Sequence, residues 1–407
     1  MVELCTVRIG DLGRVVTGKT PPSSQPPLFG GKFPFLTPTD IDGAARYIEP
    51  ERFLSSEGHD YQRRLLLPPR SVCVVCIGAT IGKVCMTSRP SFTNQQVNSV
   101  IVNEDEHDPF FVYHLLTTLR DELKANAGGA ATPIINKTAF SGIEVSVPPL
   151  PVQRRIAGIL SAYDEQIENS QRRTRILEAM ARALYREWFV HFRFPGHENH
   201  PRVPSPLGEI PMGWEVKSIQ QFGAVITGKT PSKANADFYG NDMSFVKTPD
   251  MHGNMFILGT SDCLSTAGAE SQANKTLPAG SICVSCIGTI GVVSITTEDC
   301  QTNQQINSVV LANQASREFL FLRLQDAKQT LENLGANGAT MGNVNKGKFE
   351  AMEIVCPSDH LLARYHRLVE PMFSEILSLF RQIQNLRRTR DLLLPRLLSG
   401  QVEVEAA

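Results

Sequence analysis

The sequence predicts an α+β protein: two α/β domains related by a pseudo-twofold repeat and separated by two long antiparallel helices that form a coiled coil. Three observations predict it. Four sequence blocks recur at a near-constant offset, a heptad of apolar or small residues follows each copy, and short β-rich runs ended by glycine fill the copies themselves.

The repeat comes first. VVTGKTP at 15–21 returns as VITGKTP at 225–231, and SVCVVCIGATIG at 71–82 returns as SICVSCIGTIG at 281–291. TNQQVNSV at 93–100 returns as TNQQINSV at 302–309, and INK ahead of Phe140 returns as VNK ahead of Phe349. The offset is 210 and becomes 209 after one deletion, which means one domain duplicated. Within each copy, VCVVCIG and ICVSCIG read as strands, IVNEDEHDPFFVYHLLTTLRDEL passes from strand into helix, and GGAATP and GANGAT read as loops.

The helices follow. Ile156, Leu160, Tyr163, Ile167, Ser170, Thr174, Leu177, Ala181, Leu184 and Trp188 keep a 4-3 alternation, the mark of a coiled-coil seam. A second seam carries Tyr365, Leu368, Met372, Leu379, Ile383, Leu386 and Leu393, with Pro371 as a candidate kink. Helices of about 35 to 40 residues would span about 50 to 60 Å and act as a ruler. The expected layout is a first domain at 1–150, a helix at 151–194, a linker at 195–211, a second domain at 212–357 and a second helix at 358–400. The linker reading rests on the Pro and Gly scattered through FPGHENHPRVPSPLGEIP.

Composition narrows the function classes. The chain has 407 residues with 42% hydrophobic and 20% charged, the balance of folded globular units. It has no run of eighteen apolar residues and no basic-then-apolar leader, so a cytoplasmic protein with no membrane partner is expected. Nine cysteines in such a chain read as reduced thiols. The net charge of −1 opposes a nucleic-acid partner only on average, because the basic residues are sorted. Residues 151–195 hold eight Arg or Lys against five Asp or Glu, and residues 358–400 hold seven against four.

Several motifs suggest chemistry. A G-x-x-x-x-G-K-T pattern occurs at 13–20 and 223–230, but Pro21-Pro22 and Pro231 prevent the helix that a phosphate-binding loop must open into. These segments read as a strand end and a turn carrying an exposed Lys. Cys73/Cys76 and Cys283/Cys286 have C-x-x-C spacing, yet in a strand positions i and i+3 face opposite ways and cannot converge on one ion. No catalytic and no metal-ligating residue is therefore assigned. TNQQ has two readings: its amides can pair with adenine edges, or they can satisfy the backbone of a turn.

Two domains reading different half-sites should share phosphate contacts and diverge where they read bases. The DNA-contact candidates of the first copy are accordingly Lys19, Thr20, Lys32, Arg46, Arg63, Arg64, Lys83, Asn94, Gln95, Asn136 and Lys137. Those of the second are Lys229, Thr230, Lys233, Asn303, Gln304, Asn345 and Lys346. Base readers are expected in the divergent loops at 23–32, 46–64, 232–241 and 254–275. The arginines of the helices, among them Arg154, Arg172 and Arg387, read either as a solvated or partner-facing surface or as a basic coil beside DNA.

Four further segments carry a family resemblance: VPPLPVQRRIAGIL at 147–160, LEAMARALYREWFVHFRFPG at 177–196, LGEIPMGWEV at 207–216 and RDLLLPRLLSGQVEV at 390–404. Together with the duplicated blocks they resemble the specificity subunit of a type I restriction-modification system over nearly the whole chain. The resemblance implies that the two globular units are target-recognition domains, each binding half of a split double-stranded DNA target. It implies helices that dock two methyltransferase subunits, with two restriction or translocase subunits able to join. Arg155, Ile156, Leu160, Arg173, Leu177, Trp188, Leu368, Leu379, Arg388 and Leu393 are the candidates for that docking. It implies no cofactor here, with S-adenosylmethionine, ATP and Mg on the partners. In agreement, the chain has no N/D-P-P-Y/F/W tetrad of an amino-methyltransferase. The first domain begins with VELCTVRIGDLG and lacks the GEIPMGW entry of the second, so its first strand is expected to be arranged differently.

Overall fold

A computed structural model describes residues 4–43, 45–128, 133–336 and 342–402. Most of the two Gly-rich stretches predicted as loops, at 129–132 and 337–341, lies outside the described residues. The chain divides into two compact units, Met1–Asn169 with Ile383–Ala407, and Ser170–Gln382. Both long helices, Leu150–Tyr185 and Asp359–Leu398, give one segment to each unit.

In the first unit a four-stranded antiparallel sheet runs in the order Gly13–Thr17, Val97–Val102, Val72–Val75, Val84–Met86. A three-stranded sheet places Phe29–Leu36 between Phe53–Leu54 and Phe92–Thr93. In the second unit the corresponding sheets are Gly223–Thr227, Ile306–Leu311, Ile282–Ser285, Val293–Thr296, and Asp262–Leu264, Tyr239–Val246, Cys300–Thr302. The second unit adds a fifth strand, Phe256–Ile257, where the first has only an isolated bridge from Tyr47 to Met86. The duplicated blocks hold the same register, Val15 opposite Val100 and Val225 opposite Val309.

The expectation of a different first strand is overturned. Cys5–Arg8 pairs antiparallel with Glu144–Val147, as Glu215–Ser218 pairs with Glu353–Cys356. The GEIPMGW segment is not part of that pairing. Its first residues form the second strand of the hairpin of Arg202–Ser205 with Gly208–Pro211, inside the span read as a linker. The four-residue turn Ser205–Gly208 has Ser205 Oγ donating to the Gly208 carbonyl, and Gly208 supplies a φ of +99°. Prolines at edge-strand positions hid this hairpin from a reading by periodicity.

Each unit seats its sheets on antiparallel helix segments. In the first, Val152, Ile156 and Leu160 pack in one core with Leu394 and Leu397 of the second helix. In the second, Tyr365 donates its hydroxyl to the Ala181 carbonyl and packs against Trp188 and Phe189. The predicted seams are displaced in places. Asp164 is buried where Tyr163 was expected, Tyr185 where Leu184 was, and Val369 where Leu368 was. Pro371 sits inside an unbroken helical run.

Candidate nucleic-acid interface

The TGKTP and TNQQ blocks, about eighty residues apart, form one crossing in each copy. A strand ends at Thr17 or Thr227, whose hydroxyl donates to Asn98 or Asn307 at 2.6 Å. The next glycine lies against the TNQQ turn so closely that a Cβ on Gly18 would sit 2.2 Å from the Thr93 carbonyl oxygen, and one on Gly228 2.2 Å from that of Asn303. The Lys19 and Lys229 amides donate to the Thr93 and Thr302 carbonyls at 3.0 and 2.9 Å. Thr20 and Thr230 then donate to Gln95 and Gln304 at 2.7 and 2.6 Å. The G-x-x-x-x-G-K-T pattern therefore closes on a turn, and no helix follows it to receive a phosphate.

The same geometry bears on TNQQ. Asn94 accepts from the Gln96 amide and donates to the Gln96 side chain, both at 3.0 Å, and Asn303 repeats this with Gln305. Asn94 and Asn303 are buried, so these amides serve the turn. Gln95 and Gln304 stay exposed at its surface.

Among the other candidates, the structure separates surface cations from tethered ones. Lys19, Lys32, Arg63, Arg64, Lys137, Lys229 and Lys233 are exposed. Lys19 lies over the Tyr61 ring at 5.5 Å and shares a recess of about 510 Å³ with Asp60, Tyr61, Gln62, Arg63, Arg64 and Leu65. Lys83 is half-buried along Gly43, and Lys346 is exposed but paired with Glu350 at 3.3 Å. Asn136 and Asn345 cap short helices by accepting from Ala139 and Lys348 amides. Arg46 must be withdrawn as a DNA contact. Its side chain is buried, clamped on both Glu168 carboxylate oxygens at 3.1 and 3.2 Å, with the guanidinium 4.8 Å from the Tyr47 ring.

The docking candidates divide likewise. Ile156, Leu160 and Trp188 are buried in the cores of their own units, Leu379 is buried as well, and none presents a surface, a correction that follows from their inward-facing positions on the helices. Leu177 and Leu393 are half-buried, Arg155 and Arg388 are exposed, and Arg173 is exposed and paired with Glu375. Leu368, expected in the seam, is instead 47% exposed and joins Ile176, Met180 and Leu392 as large apolar residues open on the helices.

The cysteines are separated as strand geometry requires. Cys73 and Cys76 belong to different cores on opposite sheet faces, as do Cys283 and Cys286. Burial pushes Cys76 and Cys286 up to about 11 and Cys283 up to about 12, so they are neutral thiols at neutral pH. Among the described residues no group of His, Cys, Asp and Glu could hold a metal ion, and no helix is long and apolar enough to cross a membrane.

Sequence reasoning missed three features: two are buried charge clusters, and the third is a buried side chain without a partner. Asp164, buried on the first helix, meets His114 at 3.2 Å and Arg390 of the second helix at 2.7 Å. Burial opposes its charge, but His114 and Arg390 outweigh burial and hold the carboxyl below its ordinary value. In the second unit Glu318, fully buried, lies 2.6 Å from both Arg317 and His366. The third is Gln62, buried beside two arginines that the sequence did single out.

Comparison with known proteins completes the picture. The model of the type I restriction modification DNA specificity domain matches residues 1–179 and 211–360. The chain is 33% identical over 355 residues to the type I restriction enzyme HindI specificity subunit of Haemophilus influenzae, covering 72% of this chain and 77% of that one. It is 26% identical over 406 residues to the MjaIX specificity subunit of Methanocaldococcus jannaschii, covering 98% and 93%. In fold it is similar to the crystal structure of a type I restriction-modification system S subunit from M. genitalium, with a TM-score of 0.62 at 12% identity over 97% of this chain and 96% of that one.

Proposed function

The chain belongs to the type I restriction-modification specificity subunits, and from that membership we propose that it is the non-catalytic reader of a bipartite DNA target that also scaffolds two methyltransferase subunits. The observation that carries the reading is the duplicated crossing: two domains hold the same TGKTP–TNQQ turn, with Lys19 or Lys229 exposed at its tip, beside surfaces that differ in sequence. A shared cation on a shared scaffold suits a repeated phosphate contact, and divergent neighbours suit two different half-sites. Exposed Lys19, Arg63, Arg64, Lys229 and Lys233 are then phosphate contacts, and Leu368, Ile176 and Met180 suit a helix surface covered by a partner.

Methyl transfer from S-adenosylmethionine, and ATP- and Mg-dependent translocation and cleavage, belong in this reading to the partner subunits. The long helices set the gap between half-sites, about one helical turn. Adding or removing a heptad from both helices tests this on the assembled complex. The accepted gap should change while both half-site sequences persist, and an unchanged gap would refute the ruler. Methyl transfer or ATP hydrolysis by the purified chain alone would favour an enzyme instead.

A further inference from the structure

Resting on the DNA-reading assignment above, the geometry points to Gln62 as an adenine-reading residue of the first recognition domain. It is 5% exposed, and neither its Nε2 nor its Oε1 has a hydrogen-bond partner. A buried amide with no partner for either atom is uncommon in a folded protein and calls for a cause.

The second domain supplies the control. Gln272 occupies the same place in the repeat, ahead of the block that runs from Leu67 in one copy and Leu277 in the other. Its Nε2 donates to the Lys229 carbonyl and to Gln301 Oε1, both at 2.8 Å, leaving only its Oε1 unpartnered. Gln301 in turn donates to the Ala269 carbonyl and to Thr276. In the first domain Phe92 replaces Gln301 and packs with Phe33 and His59, so the side-chain acceptor is gone, and Gln62 makes no hydrogen bond to the Lys19 carbonyl that corresponds to that of Lys229. The glutamine has been kept while one of its two internal acceptors has been replaced and the other is not engaged.

What surrounds Gln62 indicates the ligand. It lines the recess with Lys19, Tyr61, Arg63 and Arg64, where the second domain carries Ser271, Ala273 and Asn274 in place of the tyrosine and both arginines. The one acid of the recess, Asp60, lies 2.9 Å from His59. Three cations and an aromatic ring around a recess suit a nucleic-acid backbone and a base. A phosphate can only accept, and would leave Oε1 unpartnered. The major-groove edge of adenine, with its N6 amino group and N7, supplies one donor and one acceptor and satisfies both atoms. Tyr61, 45% exposed at the recess beside Lys19, can change rotamer to admit a base, as side chains commonly do at interfaces.

The test compares Gln62→Met with Gln272→Met, near-isosteric changes that delete donor and acceptor together. The full chain, assembled with its methyltransferase subunits, is used to select from a pool of randomised duplex DNA, and the retained DNA is sequenced. Thermal unfolding of each variant is measured without DNA. For Gln62→Met we expect one A·T pair in one half-site to lose about 10- to 100-fold of its preference, the other half-site to be untouched, and Tm to hold or rise. For Gln272→Met we expect Tm to fall by about 3 °C with both half-sites intact. An unaltered motif in Gln62→Met, or a lowered Tm in that variant, would overturn the role of Gln62 while leaving DNA reading in place. Failure of the unmutated complex to select any motif would instead overturn the DNA-reading assignment itself.

Discussion

Under the TGKTP turn of the second domain, Gln272 and Gln301 hold one another and the Lys229 carbonyl, whereas under that of the first, Phe92, Phe33 and His59 form an aromatic layer beneath an unpartnered Gln62. Above this layer the two domains coincide down to the Thr20–Gln95 and Thr230–Gln304 hydrogen bonds. The difference separates two kinds of constraint. Where backbone meets backbone at a glycine, no substitution fits, and the copies stayed alike. Where side chains meet, one polar solution and one apolar solution fill the same space, and the copies diverged.

The attachment of each domain to its helices sharpens this comparison most, because it uses buried charge at positions that do not correspond in the repeat. Asp164 on the first helix faces His114 and Arg390, while Phe373 stands at the matching position, 209 residues on, and the charge sits on Glu318 of the recognition domain. Asp164→Ala removes the buried carboxylate shared by His114 and Arg390, leaving Arg390 only the exposed Asp391 at 2.9 Å, and should cost about 3 kcal/mol. Glu318→Ala should cost a similar amount, since Arg317 loses a carboxylate at 2.6 Å. Denaturant unfolding monitored by hydrogen exchange should place each loss in its own unit. Losses spread evenly over both units would break the comparison. Asp164 also predicts a pH dependence: its carboxyl is held below the usual 3.8, so its contribution is full above that value and declines as pH falls through the lower, folded one. In Asp164→Asn that acid limb should shrink.

The glycines should give the next largest effect. Gly18→Ala and Gly228→Ala both drive a methyl to 2.2 Å from a backbone carbonyl oxygen, so each should cost about 2 to 3 kcal/mol, and by nearly equal amounts. Urea midpoints of the two variants measure this. A clear inequality would mean that one crossing can open, and that the copies are less alike than their hydrogen bonds indicate.

How far the sequence reveals this depends on whether a feature is periodic or a contact between distant segments. The duplication, the strand character of VCVVCIG and the opposite-facing cysteines follow from spacing alone, as the separate cores around Cys73 and Cys76 bear out. The helix seams were legible apart from one-residue displacements at Asp164, Tyr185 and Val369, and at Asp164 a hydrophobic period passes over a buried acid. The site was legible by residue type and misread by role. Arg46 resembles any loop arginine until Glu168, 122 residues away, is placed against it. Asn136 and Asn345 look like DNA contacts until the short helices they cap are seen. Gln62 is invisible in sequence, since an orphaned amide is defined by what is missing around it.

The smallest effect concerns the lysines at the tips of the shared turns, and it is read in salt dependence rather than stability. Lys19 and Lys229 are both exposed, and on the proposed reading each neutralises one phosphate, so removing either should lower the slope of log K against log salt by about 1. The two should differ in what remains. Lys19 shares its recess with Arg63 and Arg64, whereas at the corresponding positions the second domain has Ala273 and Asn274. Lys19→Ala therefore leaves a basic surface that can still hold the backbone, and Lys229→Ala removes more of what its domain offers. Titrating the assembled complex on its own target across a range of salt measures both slopes. Equal slope changes with a larger affinity loss for Lys229→Ala would fit this picture. A larger loss for Lys19→Ala would mean that the first domain concentrates its phosphate binding on that single lysine and leaves the neighbouring arginines to other contacts.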